Sequence, residues 1–327
     1  MPSSSLLSRK ALSSSDPHSS LQLAQEAPAF IQSQPATQPI FPFSLFSKPE
    51  TPEKWINYEQ LLLACLRTGD DKSAEKCLER LTTRFGPANE RVMGLRGLFE
   101  EATAEDRRAL EKILDGYEGV LRENPVNVPI MKRRVTLLRT LSKPVEATTA
   151  LVEFLEAFPT DGEAWCQLAE LYQSQGMTAQ AVFSLEEALL IAPNAWNLHA
   201  LLGEVEYVST TSQNGGAESL KLLADSVRRF CRSIELCDDY LRGYYGLKLA
   251  TNRLLTAITS TDAPSAQQLS KGEVDIQSEE TLRKLNKLAT TKLAEIVKTM
   301  SKSGRGNENE LIAAQALLDR DEEVNES

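Results

Sequence analysis

Residues 161–193 read DGEAWCQLAELYQSQGMTAQAVFSLEEALLIAP. Trp165, Leu168, Ala169 and Tyr172 follow the W-x2-L-G-x2-Y pattern of a first helix in a tetratricopeptide unit, with alanine in place of the glycine. Gly176 falls at the turn, Ala181, Leu185 and Ala188 lie on a second helix, and Pro193 closes it. Small Ala169 and Ala181 let the two helices approach, while Trp165, Tyr172 and Leu185 fill the space around that contact. One such hairpin cannot bury its own apolar face, so neighbours must cover it.

Those neighbours are legible on both sides. Pro125, Pro159 and Pro193 stand 34 residues apart, one tetratricopeptide period. One period upstream, Met131, Val135 and Leu138 form a first helix and Ala147, Leu151 and Phe154 a second, with Pro144 in its first turn. A looser unit precedes it, with Leu95, Leu98 and Phe99, then Ile113, Tyr117 and Val120, and extra residues expected in the turn at 103–107. The earliest opens at Trp55 and Tyr58, turns at Gly69 and continues through Ala74, Leu78 and Leu81. After Pro193 the pattern resumes with Leu198, Leu202, Gly203 and Tyr207, is interrupted at 209–219, and returns as Ser226, Phe230, Ser233 and Leu236. The expected fold is all-α: a tetratricopeptide-repeat α-solenoid, a superhelix of helical hairpins, over 51–258. A polar linker at 259–278, C-terminal capping helices at 279–320 and an acidic tail at 321–327 complete the expected order. Residues 1–50 are Ser/Pro-rich and are expected to be disordered, because so little apolar surface cannot offset the entropy of ordering. Within them PIFPFSLF (39–46) is a candidate linear docking motif, weighed against a plain linker.

Composition narrows the chemistry. A net charge of −10 argues against general nucleic-acid binding, which needs a basic footprint. No apolar run reaches the 18 residues of a membrane span, and the N-terminus lacks the apolar core of a secretory signal. Five cysteines, Cys65, Cys77, Cys166, Cys231 and Cys237, show no C-x-x-C spacing and are expected to be reduced. With only His18 and His199, neither a zinc site nor a Cys-His or Ser-His pair has residues to be built from, so no cofactor, metal or catalytic site is expected.

In a helical-repeat scaffold the first helix of each pair lines the inner surface. The repeat frame assigns Lys132, Arg133, Thr136 and Arg139 to that surface from one unit, and Glu163, Gln167, Glu170 and Gln173 from the next. A basic patch followed by an acidic one suits a polar or charged peptide segment, against the alternative of ordinary solvated charges. A chaperone carboxylate clamp would need asparagine where this chain has Leu63, Thr136 and Glu170.

The segments RVMGLRGLFEEA (91–102), YEGVLRENP (117–125), DGEAWCQLAELY (161–172) and AVFSLEEALLIAP (181–193) together resemble the subunit 2 family of the endoplasmic reticulum membrane protein complex. SIELCDDYLRGYYGL (233–247) extends the resemblance more weakly, to about two thirds of the chain. The N-terminal extension, the 209–219 insertion and the 259–278 linker depart from the family pattern. The resemblance implies a non-catalytic scaffold, peripheral on the cytosolic face of the endoplasmic reticulum membrane. Its implied partners are cytosolic segments of the membrane subunits, including an Oxa1-like insertase subunit, and another soluble subunit. Their joint task is insertion of tail-anchored and multipass proteins. Charge reversal at Arg133 and Arg139 is then expected to release the chain from membranes without unfolding it. The alternative is a free cytosolic tetratricopeptide co-chaperone or adaptor.

Overall fold

The computed structural model describes residues 17–33, 51–210, 217–259, 276–303 and 307–326. Among them every regular element is an α-helix, and the chain divides into two compact units, Met1–Ala157 and Phe158–Ser327. The all-α tetratricopeptide fold expected from the repeat is the fold observed.

The first unit holds α1 (Pro17–Ser33), α2 (Pro52–Thr68), α3 (Asp71–Phe85), α4 (Glu90–Ala102), α5 (Arg107–Glu123), α6 (Val128–Thr140) and α7 (Pro144–Ala157). Helix starts are set by side-chain caps. Asp70 accepts from the N–H of Ser73, Asn89 from Arg91 and Val92, Asp106 from Ala109, and Asn127 from Ile130, each satisfying amides that the helix leaves without partners. The turn inside a hairpin is equally regular. After α2 the N–H of Asp70 reaches back to Cys65 O, and after α6 that of Lys143 reaches Leu138 O, a six-residue closure that needs a left-handed residue just before it. Gly69 takes that place with φ +76°, and Ser142 takes it at +57°.

One expectation fails at the N-terminus. Residues 17–33 are not disordered but form α1, which buries Leu23, Ala24, Ala27 and Ile31 against α2 and α3. Phe30 meets Tyr58 edge-on at 5.2 Å, and Tyr58 stacks on Trp55. Leu23, Ala27 and Ile31 recur at i, i+4 and i+8, but two of the four buried apolar residues are alanines and Pro28 interrupts the run, so the helical stripe is faint in a serine-rich setting. PIFPFSLF lies outside the described residues. The extra length of the α4/α5 hairpin resides mainly in α5, which has 17 residues against 14 in α7. The turn from 103 to 106 takes only a small part of it.

The second unit holds α8 (Gly162–Ser174), α9 (Thr178–Ile191), α10 (Trp196–Ser209), α11 (Ala217–Leu236), α12 (Leu241–Thr259), α13 (Glu279–Ser303) and α14 (Glu308–Glu326). Asp161 caps α8 through the N–H of Ala164. Gly176, φ +74°, repeats the left-handed turn, with Met177 N–H bonded to Tyr172 O. Ala169, Ala181 and Leu185 are buried together where α8 meets α9, with Tyr172 packed beside them, and Leu168 and Ala188 are buried as well. Pro125, Pro159 and Pro193 each follow a second helix by one residue, after α5, α7 and α9. Two of their carbonyls have a matched partner: Trp165 Nε1 donates to Pro159 O at 2.9 Å, and His199 Nε2 lies 3.0 Å from Pro193 O. Trp165 is thus a rim residue that closes the helix entry rather than a filler at the centre.

Small residues recur where α10 meets α11. A Cβ on Gly203 would touch the Phe230 ring at 3.2 Å, and the hydroxyls of Ser226 and Ser233 donate to Gly203 O and Trp196 O. The core continues through Tyr244, Leu247 and Leu254 of α12 to Leu282, Leu293 and Ile296 of α13 and Leu317 of α14. Lys248 is fully buried, its Nζ donating to Thr290 Oγ1 at 2.7 Å. The acidic tail expected from residue 321 is helical through Glu326. Segments 211–216 and 260–275, within the expected insertion and linker, lie outside the described residues.

Candidate interaction surfaces

Lys132, Thr136 and Arg139 share one face of α6 at i, i+4 and i+7. Thr136 and Arg139 are exposed, and Lys132 is half-buried with its Nζ 5.5 Å from the centre of the Phe154 ring. Arg133 points elsewhere. Its guanidinium makes a two-pronged contact with the Glu101 carboxylate of α4, Nε to Oε1 at 2.9 Å, and the Tyr117 hydroxyl of α5 donates to the same carboxylate. Glu101 is about 10% exposed and Arg133 about 22%, so the pair is largely withdrawn from water. Burial and the Glu101 hydrogen bond raise the Tyr117 hydroxyl above its ordinary value, which keeps it a donor. Arg133 is therefore a strut between two hairpins. Reversing its charge would strain the fold, so the expectation that charge reversal there spares folding is corrected.

On α8, Glu163 and Glu170 are exposed and Gln167 and Gln173 half-buried. The eight residues assigned to the inner surface divide four and four between the two units; Arg133 leaves the α6 set to join Glu101, and the other seven are polar first-helix residues in their own units.

A second surface escaped the sequence reading. α9 carries apolar residues around most of its circumference, although only one side is needed for stacking. Ala181, Leu185, Ala188 and Leu189 face inward. Phe183 and Leu190, two turns apart on the outer face, are 56% and 76% exposed. Trp165 stands edge-on to Phe183 at 6.1 Å, and Ile191 and Trp196 continue the apolar surface toward α10. The signal was the composition of AVFSLEEALLI itself: Phe183, Leu190 and Ile191 lie off the stripe that the hairpin consumes.

Nothing among the described residues gathers three or more metal-ligating side chains, and no described helix is long and apolar enough to cross a membrane. Cys65 and Cys77 are buried, and burial pushes their thiols up to about 11 and about 12, leaving neutral, unreactive groups.

The comparisons agree with this architecture. Residues 85–221 match the family model described as the EMC2 TPR-like repeat domain. The "TPR repeat protein oca3" of Schizosaccharomyces pombe is 35% identical over 203 residues, covering 62% of this chain and 68% of that protein. The "ER membrane protein complex subunit 2" of Xenopus tropicalis is 34% identical over 197 residues, covering 60% of this chain and 62% of the frog protein. The C-terminal part of a TPR repeat-containing protein from Cytophaga hutchinsonii covers 90% of this chain with a TM-score of 0.50 at 10% identity, a likeness of fold alone.

Proposed function

The chain belongs to the tetratricopeptide-repeat family of ER membrane protein complex subunit 2, and on that premise we propose that it is a non-catalytic scaffold subunit of that complex. In this reading it sits peripherally on the cytosolic side of the endoplasmic reticulum membrane. It holds cytosolic segments of membrane subunits, an Oxa1-like insertase subunit among them, together with another soluble subunit, so that the assembly can insert tail-anchored and multipass proteins.

The observation that carries the proposal is the outer face of α9. Phe183, Leu190, Ile191 and Trp196 are large apolar side chains left exposed on α9 and at the start of α10, and a contiguous surface of that kind suits coverage by a partner. The polar first-helix faces fit the second half of the task. Lys132, Thr136 and Arg139 on α6, and Glu163, Gln167, Glu170 and Gln173 on α8, suit charged, extended segments whose orientation is set by charge.

Purification of the tagged full-length chain from detergent-solubilised cells tests this directly. Stoichiometric recovery of multispanning membrane proteins, with release of the chain from membranes by alkaline carbonate, is the expected result. Recovery with soluble chaperones alone would overturn it.

A further inference from the structure

We propose that the cleft between α4 and α5 is a separate docking site for a short apolar segment that carries a carboxylate and is supplied by a partner protein. The cleft lies in the first unit and does not involve the α9 face. Its origin is in the sequence of α5, RRALEKILDGYEGVLRE, whose apolar residues form one strong stripe: Leu110, Ile113, Leu114, Tyr117, Val120 and Leu121. A stripe of that kind is ordinarily covered. Here Tyr117 alone is fully buried. The other five are half-buried and pack with it against Ile130 and Leu137 of α6 and Leu141 just after it, while α4 meets α6 more extensively than its own hairpin mate α5 and so leaves the side of the stripe at Ile113 and Val120 partly open.

The uncovered side opens into a cleft of about 550 Å³, with Met93 and Gly97 on one wall, Ile113 and Val120 on the other, and Tyr117 and Ile130 at its floor. That volume lies within the roughly 300–1,000 Å³ typical of binding pockets. Gly97 lets the Tyr117 ring press against α4, since a Cβ there would collide with the ring. Gly116, by contrast, faces empty space: a Cβ at that position would meet nothing within 4 Å.

Charge decides what the occupant is. Arg96 on the α4 wall and Lys112 on the α5 wall both line the cleft, against one acidic lining residue, Glu100. The surrounding helices pair their cations locally, as in Arg107 with Glu111, Arg133 with Glu101 and Arg134 with Glu118 and Glu153. Arg96 and Lys112 have no such carboxylate among the described residues. In a chain of net charge −10, two cations left at the mouth of an apolar cleft favour an incoming segment that brings its own Asp or Glu.

The test uses the full chain within its complex, with a photoreactive benzoyl-phenylalanine placed at Ala104, a cleft-lining residue in the turn between α4 and α5. The expected adduct is a partner peptide with an acidic residue within a few positions of the attached apolar one. Attachment to residues 39–46 of the same chain, to a second copy, or to a peptide without acidic residues overturns the proposal, as does the absence of any adduct. A synthetic copy of the attached peptide then gives the quantitative arm. Gly116→Leu, which fills open space on a helix, is expected to leave the melting temperature equal or higher and to weaken the peptide at least about tenfold. Arg96→Gln with Lys112→Gln is expected to weaken it about tenfold and flatten its salt dependence. Unchanged affinity in Gly116→Leu sinks the idea. Failure of the scaffold reading would appear instead as the wrong set of co-purified proteins, with the Ala104 adduct still formed.

Discussion

Ser142 occupies a backbone conformation that a residue with a Cβ adopts at a cost. Its φ of +57° follows from the closure of α6, and the equivalent places after α2 and α8 are held by Gly69 and Gly176. Ser142→Gly should remove strain of about 1 kcal/mol and raise the melting temperature in a thermal scan, even after the greater freedom of glycine in the unfolded chain is counted. Glu206 on α10 is the opposite case, a carboxyl with too few partners. It is 3% exposed, its Oε2 has no hydrogen-bond partner, and burial pushes it up to about 8. Arg229 on α11 opposes that shift while Asp225 and Glu186 reinforce it. The arginine belongs mainly to Glu186, at 2.6 Å, and reaches Glu206 only at 3.6 Å, so burial prevails. The folded chain then holds this proton between the ordinary carboxyl value of 4.5 and about 8, whereas the unfolded chain has lost it. Stability from this group is present at low pH and falls as pH rises through that window. Glu206→Gln should flatten the decline and be the more stable protein at pH 8, by on the order of 1–3 kcal/mol in denaturant titrations.

Among the elements, the hairpins were the most legible part of the molecule, and for a physical reason. Prolines at 125, 159 and 193 end helices wherever they stand, and the alanines at 169, 181 and 188 are small because backbones must meet there. Both effects act within one repeat and so leave a mark in the sequence. α1 was missed because its contact depends on Ala24 and Ala27, residues with little hydropathy whose value appears only when Tyr58 is opposite. Lys132, Thr136 and Arg139 share the expected face of α6, yet Arg133 turned out to serve Glu101 and Tyr117, since a carboxylate 32 positions earlier cannot be read as its partner without the fold. The strut joins α4, α5 and α6, so Arg133→Glu should cost about 2–3 kcal/mol. That is less than the roughly 3–5 of a fully enclosed pair, because the guanidinium keeps some water. A lowered denaturation midpoint would be the sign, and exchanging both charges, Glu101→Arg with Arg133→Glu, should recover part of the loss.

At the scale of the whole molecule the decisive property is incompleteness. Phe183→Glu with Leu190→Glu replaces exposed apolar groups by charges and should leave the unfolding free energy within about 0.5 kcal/mol of the parent. The same variant should recover fewer co-purifying proteins and, as an isolated chain, aggregate less. A double variant that unfolds would mean that these side chains serve the fold and not a partner. The α9 face was present in the sequence as AVFSLEEALLI, but it could not be separated from core until the inward side of the helix was known.

The helix formed by residues 17–33 also has a bearing on how the protein is made. It precedes its partners on α2 and α3 by a few dozen residues of chain and is therefore synthesised before them. The first hairpin can thus close against α1 as soon as α3 is made, so that the apolar seam around Tyr58 is covered before the later helices are synthesised. The α4/α5 hairpin has no such early shelter: Ile130 and Arg133, which complete its inner side, arrive only with the following helix. Synthesis would pass through a brief vulnerable interval there, and a pause in translation at that point would expose the same apolar stripe that later receives a partner.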